Sequence, residues 1–151
     1  MEDSETSLAN PASVTGVPVR RYGTGALRDR VVDLILSGAK TSTTFLVIAA
    51  ESMGEALPAV GDRAIVVDSA ETPRALTQYT EVRRCRVAEV SLEHALQEGG
   101  GYESVADWRA AHEAFWQSEE FRTLMGQPDF VATDDTEVVC ASFVVVGTAG
   151  H

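Results

Sequence analysis

Apolar residues Leu27, Val31, Leu34 and Ile35 recur at the i, i+4, i+7, i+8 spacing of one helical face, which predicts an amphipathic helix. Thr24 stands at the position of an N-cap. Gly38 is placed to end the helix, because glycine accepts the left-handed conformation past a helix terminus. Thr43 to Ala49 is β-branched and apolar and predicts a strand. Pro58 to Asp62 marks a turn before a short strand at Ala64 to Asp68, and Thr72-Pro73 marks another break. Ala75 to Val90 alternates apolar and polar positions, as one long bent strand or two short ones.

Ser91 to Glu98 predicts a short helix closed by Gly99-Gly100-Gly101. Ser104 to Asp107 has the form of a capping box with Asp in the usual Glu or Gln place. It opens a stronger helix with Val105, Trp108, Ala111 and Phe115 on one face. Thr136 to Val146 reads as a closing strand. Helix, several strands, two helices and a last strand suit an α+β fold around a small, mostly antiparallel β-barrel with flanking helices. Residues 1–17 carry Ser, Thr, Asn, Pro and Gly without hydrophobic pattern, so they are expected to form a flexible leader before a domain at 18–148.

The composition adds bounds to this outline. A chain of 151 residues, 44% hydrophobic and 23% charged, is most simply one ordinary globular domain. The acidic first residues do not resemble a signal peptide, and no apolar run reaches the roughly 18 residues of a membrane span. Cytoplasm and no membrane partner are therefore the expectation. Cys85 and Cys140 lack metal-ligand spacing and read as small core or strand residues.

The net charge of −11 argues against indiscriminate binding of a polyanion. It is uneven, however. Residues 20–90 hold ten positive and nine negative groups, whereas residues 91–151 hold two and eleven. A local basic groove stays open, with Arg20, Arg21, Arg83, Arg84 and Arg86 as its candidates.

Arginine outnumbers lysine eleven to one, and the single lysine, Lys40, precedes the hydroxyl run Thr41-Ser42-Thr43-Thr44. Arginine keeps its charge at any working pH, while a desolvated lysine can act as a base. Known motifs do not absorb this segment. A phosphate loop would need glycine where Ala39 stands and a strand where a helix precedes. Ser37-x-x-Lys40 closes a helix, where a penicillin-binding serine opens one. Nor is there a Gly-x-Ser-x-Gly elbow, and His94, His112 and His151 have no zinc spacing, so neither metal nor cofactor is expected.

Several fragments taken together resemble the ASCH domain family, a branch of the PUA-like β-barrels associated with RNA. They are Leu36 to Thr43, Leu57 to Asp62, Val66 to Asp68, Val87 to Val90, Glu93 to Ala95, Glu98-Gly99, Trp108-Arg109, His112, Phe115 and Val138 to Val145. The likeness spans about residues 20–146. Within that family, a bacterial amidohydrolase of N4-acetylcytidine works through a lysine, a threonine three residues later and a distant glutamate. The resemblance implies Lys40, Thr43 and Glu98 as the catalytic set, with Thr41, Ser42 and Thr44 as substrate-binding hydroxyls. The family signature often continues with Glu and then Arg, where this chain has Thr43 and Phe45. Close relatives follow the glutamate with Gly-Glu-Gly-Asp, where this chain has Gly99-Gly100-Gly101-Tyr102.

Deacylating an amine needs a nucleophile, a proton shuttle and stabilisation of an oxyanion. In one assignment Lys40 is neutral and activates Thr43, while Glu98 carries protons to the leaving amine. Bringing a lysine from about 10.4 to near 7 takes roughly 4–5 kcal/mol, which burial can supply. In the other, Lys40 stays charged beside the oxyanion and Glu98 is the base. Residues 40 and 43 of a regular strand face opposite ways, so Lys40 is expected in a turn. A lysine within the strand would instead partner Ser42 or Thr44. The implied partner is a modified nucleoside or single-stranded RNA; a ribonuclease and a non-catalytic RNA-binding module are the rival functions.

Trp108, Phe115 and Trp116 read as packing residues, and His112 as a packed or capped histidine.

Overall fold

In the computed structural model, which describes residues 10, 11 and 14–148, the chain passes through β1 (Val19–Arg20), α1 (Gly25–Ser37), β2 (Ser42–Leu46), α2 (Val47–Ser52) and β3 (Arg63–Val67). It continues through β4 (Pro73–Arg86), a 3-10 turn (Val87–Glu89), α3 (Leu92–Gln97), α4 (Val105–Trp116), α5 (Glu119–Met125) and β5 (Glu137–Thr148). The strands form one five-stranded sheet in the order β1-β3-β4-β5-β2. Strand β1 is parallel to β3, with Val19 opposite Ile65, and β3 is antiparallel to β4, with Ala64 opposite Thr77. The α+β class holds, and the sheet is mixed. It has two ends, one of them the two-residue β1, so among the described residues it does not close into the expected barrel.

Two compact units divide the chain. One takes Met1–Thr41, Ala59–Glu81 and Ser142–His151. Its apolar cluster is Ile65, Val67 and Leu76, with Val14, Val17 and Val146 packed against it. Of the leader expected over 1–17, residues 1–9, 12 and 13 lie outside the described residues. Helix α1 stops where the sequence predicts, at Gly38, whose φ of 85° is left-handed. Its buried line is Arg28, Val32 and Ile35, one residue round from the expected face, and Leu27 is exposed. Arg28 causes the rotation: its guanidinium donates to the Gly23 carbonyl at 3.0 Å and to Glu71 Oε2 at 2.7 Å, so a charged side chain occupies the inner face.

The second unit takes Ser42–Pro58 and Val82–Ala141. Its core gathers Leu46, Cys85, Val87, Val90, Ala95, Trp108, Trp116, Met125, Val138 and Cys140. Both cysteines are buried free thiols on strands. Burial pushes the Cys140 thiol up to about 12, and the neighbouring Cys85 adds to it. Ser91, Ser104 and Ser118 each accept a bond from the N–H three residues on, starting α3, α4 and α5 by side-chain capping.

Two helices were not expected. The strand predicted over 43–49 ends at Leu46, and α2 takes over from Val47, where Ala49, Ala50 and Glu51 favour helix. Helix α5 follows α4 after its own serine cap. Phe115 is 48% exposed and packs on Phe121, so Trp108 and Trp116 alone carry the aromatic core of α4. Among the described residues no helix is long and apolar enough to cross a membrane.

Candidate active site around Glu98

Helix α3 ends at Glu98, its C-cap residue, and the side chain is 7% exposed. An isolated carboxylate is costly to bury, so its partners decide whether the arrangement is stable. Three elements supply them. Trp108 of α4 donates its indole Nε1–H to Glu98 Oε2 at 2.8 Å. Thr44 of β2 donates its hydroxyl to the same oxygen at 2.6 Å. His94, one turn before Glu98 on α3, places Nε2 at 3.1 Å from Oε2 and at 2.8 Å from Thr44 Oγ1. The Thr44 proton points to the carboxylate, so His94 Nε2 is the donor in its contact with Thr44.

The other oxygen faces His112, whose Nε2 lies 3.3 Å from Glu98 Oε1. His112 Nδ1 lies 2.9 Å from the Trp108 carbonyl, which can only accept, so Nδ1 carries a proton. A neutral ring then turns a lone pair toward Oε1. Attraction between His112 and Glu98 requires one further proton on either partner. The ring also stacks on the Trp108 indole, with centroids 4.4 Å apart and planes 25° apart.

Sequence spacing explains how this set is assembled. His94 and Glu98 are four apart on one helix, and Trp108 and His112 four apart on another, so each helix presents its pair on one face. Ser42 and Thr44 are two apart on a strand and share a face. Ser42 is buried and donates to the His94 carbonyl at 3.0 Å, tying the strand to α3. Thr43, buried between them, alternates to the other face. Of the residues singled out from sequence, Ser42, Thr44 and Glu98 are thus brought together around His94. Thr41 stands just before β2, and its carbonyl accepts the Phe143 N–H at 3.0 Å.

Lys40 lies in the segment after α1 and before β2, not inside the strand. Its backbone N–H donates to the Leu34 carbonyl at 3.0 Å, its side chain is buried, and Nζ sits 5.7 Å from the centre of the Tyr22 ring. The turn after α1 falls at Gly38 with a bend at Ala39, so Lys40 follows the turn and does not lie in it as expected. His94, Trp108 and His112 are the functional candidates that residue-by-residue reading passes over. Their paired i, i+4 spacing with an acid or an aromatic was the available signal.

Next to the carboxylate, the Gly99-Gly100-Gly101 turn carries the chain into Tyr102, a half-buried ring 5.9 Å from His112. Burial, and then the charge of Glu98, raise the Tyr102 phenol above its ordinary value.

Fold and site together define an α+β domain built about one buried, multiply bonded carboxylate. The ASCH domain model matches residues 20–147, and the chain belongs to the ASCH domain family. No curated protein matched the sequence. Among solved structures it is similar to a protein from Enterococcus faecalis V583, at 27% identity and a TM-score of 0.74, over 89% of this chain and 77% of that one. It is also similar to an ASCH domain from Lactobacillus crispatus JV V101, at 26% identity and a TM-score of 0.73, over 94% of this chain and 90% of that one.

Proposed function

We propose that this protein is an amidohydrolase that removes the acyl group from an N4-acylated cytidine or a similar modified nucleoside. The observation that carries the proposal is the Glu98 carboxylate, 7% exposed and addressed by Thr44, His94, Trp108 and His112. An acid fixed in this way by side chains from several elements is preorganised for proton transfer, with little rearrangement at the moment of reaction.

The chemistry balances around that group. Water adds to the acyl carbon as Glu98 takes one of its protons, and the carbonyl becomes a tetrahedral oxyanion. Collapse breaks the C–N bond, and the amine leaves with the proton returned by Glu98. Amide and water thus give a carboxylic acid and a free cytidine amine. His112 can hold the extra proton on its Nε2 between the two steps, and the Thr44–His94 pair keeps Glu98 oriented. Lys40 and Thr43 enter on their Lys-Thr-x-Thr match to the family amidohydrolase, in this scheme as the cation beside the oxyanion and a substrate contact. In the alternative, neutral Lys40 takes the Thr43 proton and Thr43 replaces water in the first attack. Glu98 carries the proton to the leaving amine, and water then hydrolyses the acyl-Thr43 ester. Of the hydroxyls matched to substrate binding, Thr41 enters as a direct contact, while Ser42 and Thr44 give theirs to the His94 carbonyl and to Glu98 and act on the substrate through the acid they position.

The charges favour a free nucleoside over an RNA strand. Arg21 is paired with Glu71, Arg84 with Glu137, and Arg86 with Asp135 and Glu89. Cations already matched to carboxylates give a phosphate backbone little to release and gain. The test is acetate release from N4-acetylcytidine by the wild type, Lys40→Ala and Thr43→Ala. Turnover in the wild type that is lost in both variants, with circular dichroism unchanged, is expected. Cleavage of single-stranded RNA without acetate release would replace the proposal with a ribonuclease.

A further inference from the structure

We propose that Tyr102 is the specificity-determining residue of this site, the ring on which the planar base of the nucleoside stacks. The identity of the ligand rests on the reading above; the role of the ring rests on its own surroundings.

Three glycines shape the path to that ring. Gly99 and Gly101 have φ of 76° and 81°, conformations that side-chain-bearing residues rarely adopt. Gly100 is needed for a different reason. A Cβ at that position would stand 2.8 Å from both Cε2 and Cζ of Tyr102 and 3.0 Å from its hydroxyl oxygen. The bare backbone of Gly100 is the seat of the ring. A side chain at 100 therefore requires the Tyr102 ring to leave this position.

The seated ring faces chemistry. It lies 5.9 Å from the His112 imidazole at a tilt of 56°, and it packs against the cluster that contains Trp108. It is close enough to Glu98 for the carboxylate charge to act on its phenol. The ring is only half-buried, so one part of its surface is left to a ligand. Among the described residues its hydroxyl makes no hydrogen bond, and the phenol stays protonated at neutral pH. An aromatic face beside an uncharged O–H donor suits a flat heterocycle with a carbonyl or ring-nitrogen acceptor, as a pyrimidine base has. It does not suit a phosphate.

The test separates this role from the hydrolytic one by using cytidine, which has no acyl group to lose, as the binding probe. Equilibrium dialysis of cytidine is compared for the wild type, Tyr102→Phe, Tyr102→Leu and Gly100→Ala, alongside acetate release from N4-acetylcytidine. Stacking predicts that Tyr102→Leu weakens cytidine binding and raises KM by about tenfold while kcat stays within about twofold. Tyr102→Phe keeps the stacking face and loses only the hydroxyl, so its cytidine binding should fall between those of the wild type and Tyr102→Leu. Gly100→Ala, which displaces the ring and leaves its chemistry intact, should behave like Tyr102→Leu. Unchanged binding in Tyr102→Leu overturns the stacking role even if acetate is released. Tyr102-dependent cytidine binding without acetate release upholds it while the hydrolytic reading fails. No binding of cytidine by the wild type overturns it as well.

Discussion

Thr44 Oγ1 lies 2.6 Å from Glu98 Oε2 and 2.8 Å from His94 Nε2, so a single strand hydroxyl links the acid and the imidazole of one helix face. Donating to the carboxylate and accepting from the ring, it fixes both side chains at once. Thr44→Val keeps the β-branched shape and removes only the hydroxyl. Acetate release should fall by about tenfold to a hundredfold, with the circular dichroism spectrum unchanged. Full activity in Thr44→Val would show that this link is not part of the proton path.

Trp108 serves Glu98 as a donor and the core as a ring, and two substitutions separate these roles. Trp108→Phe leaves most of the packing but deprives a buried carboxylate of its indole N–H. A loss of about 1.5–3 kcal/mol in urea denaturation is expected. Trp108→Ala loses the same donor and also leaves a cavity, and should cost about 3–5 kcal/mol in all.

Much of this arrangement was legible in the sequence. Gly38 as a helix stop, the serine cap at Ser104, the short helix from Ser91 and the closing β-branched strand were visible because each is a local matter of backbone preference. Glu98 came only through its resemblance to a family motif, since an acid at a short helix end looks like surface. The helical face of α1 was misplaced by one residue because Arg28 is buried through Glu71, 43 positions away, and no local pattern announces that. Phe115 was assigned to the core on periodicity alone, whereas Trp116 and Trp108 fill that space. The end of β2 at Leu46 set alanine-rich helix preference against Val47 and Ile48, and helix won.

Serine capping predicts a stability effect that removes none of the side chains around Glu98. The Ser104 hydroxyl accepts the Asp107 N–H at 3.0 Å. Ser104→Ala should cost about 1 kcal/mol and lower the urea midpoint, with KM for N4-acetylcytidine unaltered.

The buried Cys140 thiol contributes to the alkaline limb of stability. Cys140 titrates from 9.0 in an exposed thiol to about 12 in the fold, chiefly through burial. A folded value raised above the unfolded one gives stability that is complete below pH 9 and lost as pH rises toward 12. In Cys140→Ala that share of the alkaline loss should disappear from urea titrations. At pH 8 neither native thiol should react with an aromatic disulfide reagent until the chain unfolds.

Glu98→Gln tests the central claim most directly, because it keeps the shape of the side chain and removes its capacity to carry a proton. Acetate release from N4-acetylcytidine is measured for the wild type and Glu98→Gln at equal folded concentration. Release by the wild type, reduced at least about a hundredfold in Glu98→Gln, is the predicted result. Absence of release by the wild type, or equal release by the variant, would contradict a catalytic carboxylate at this position.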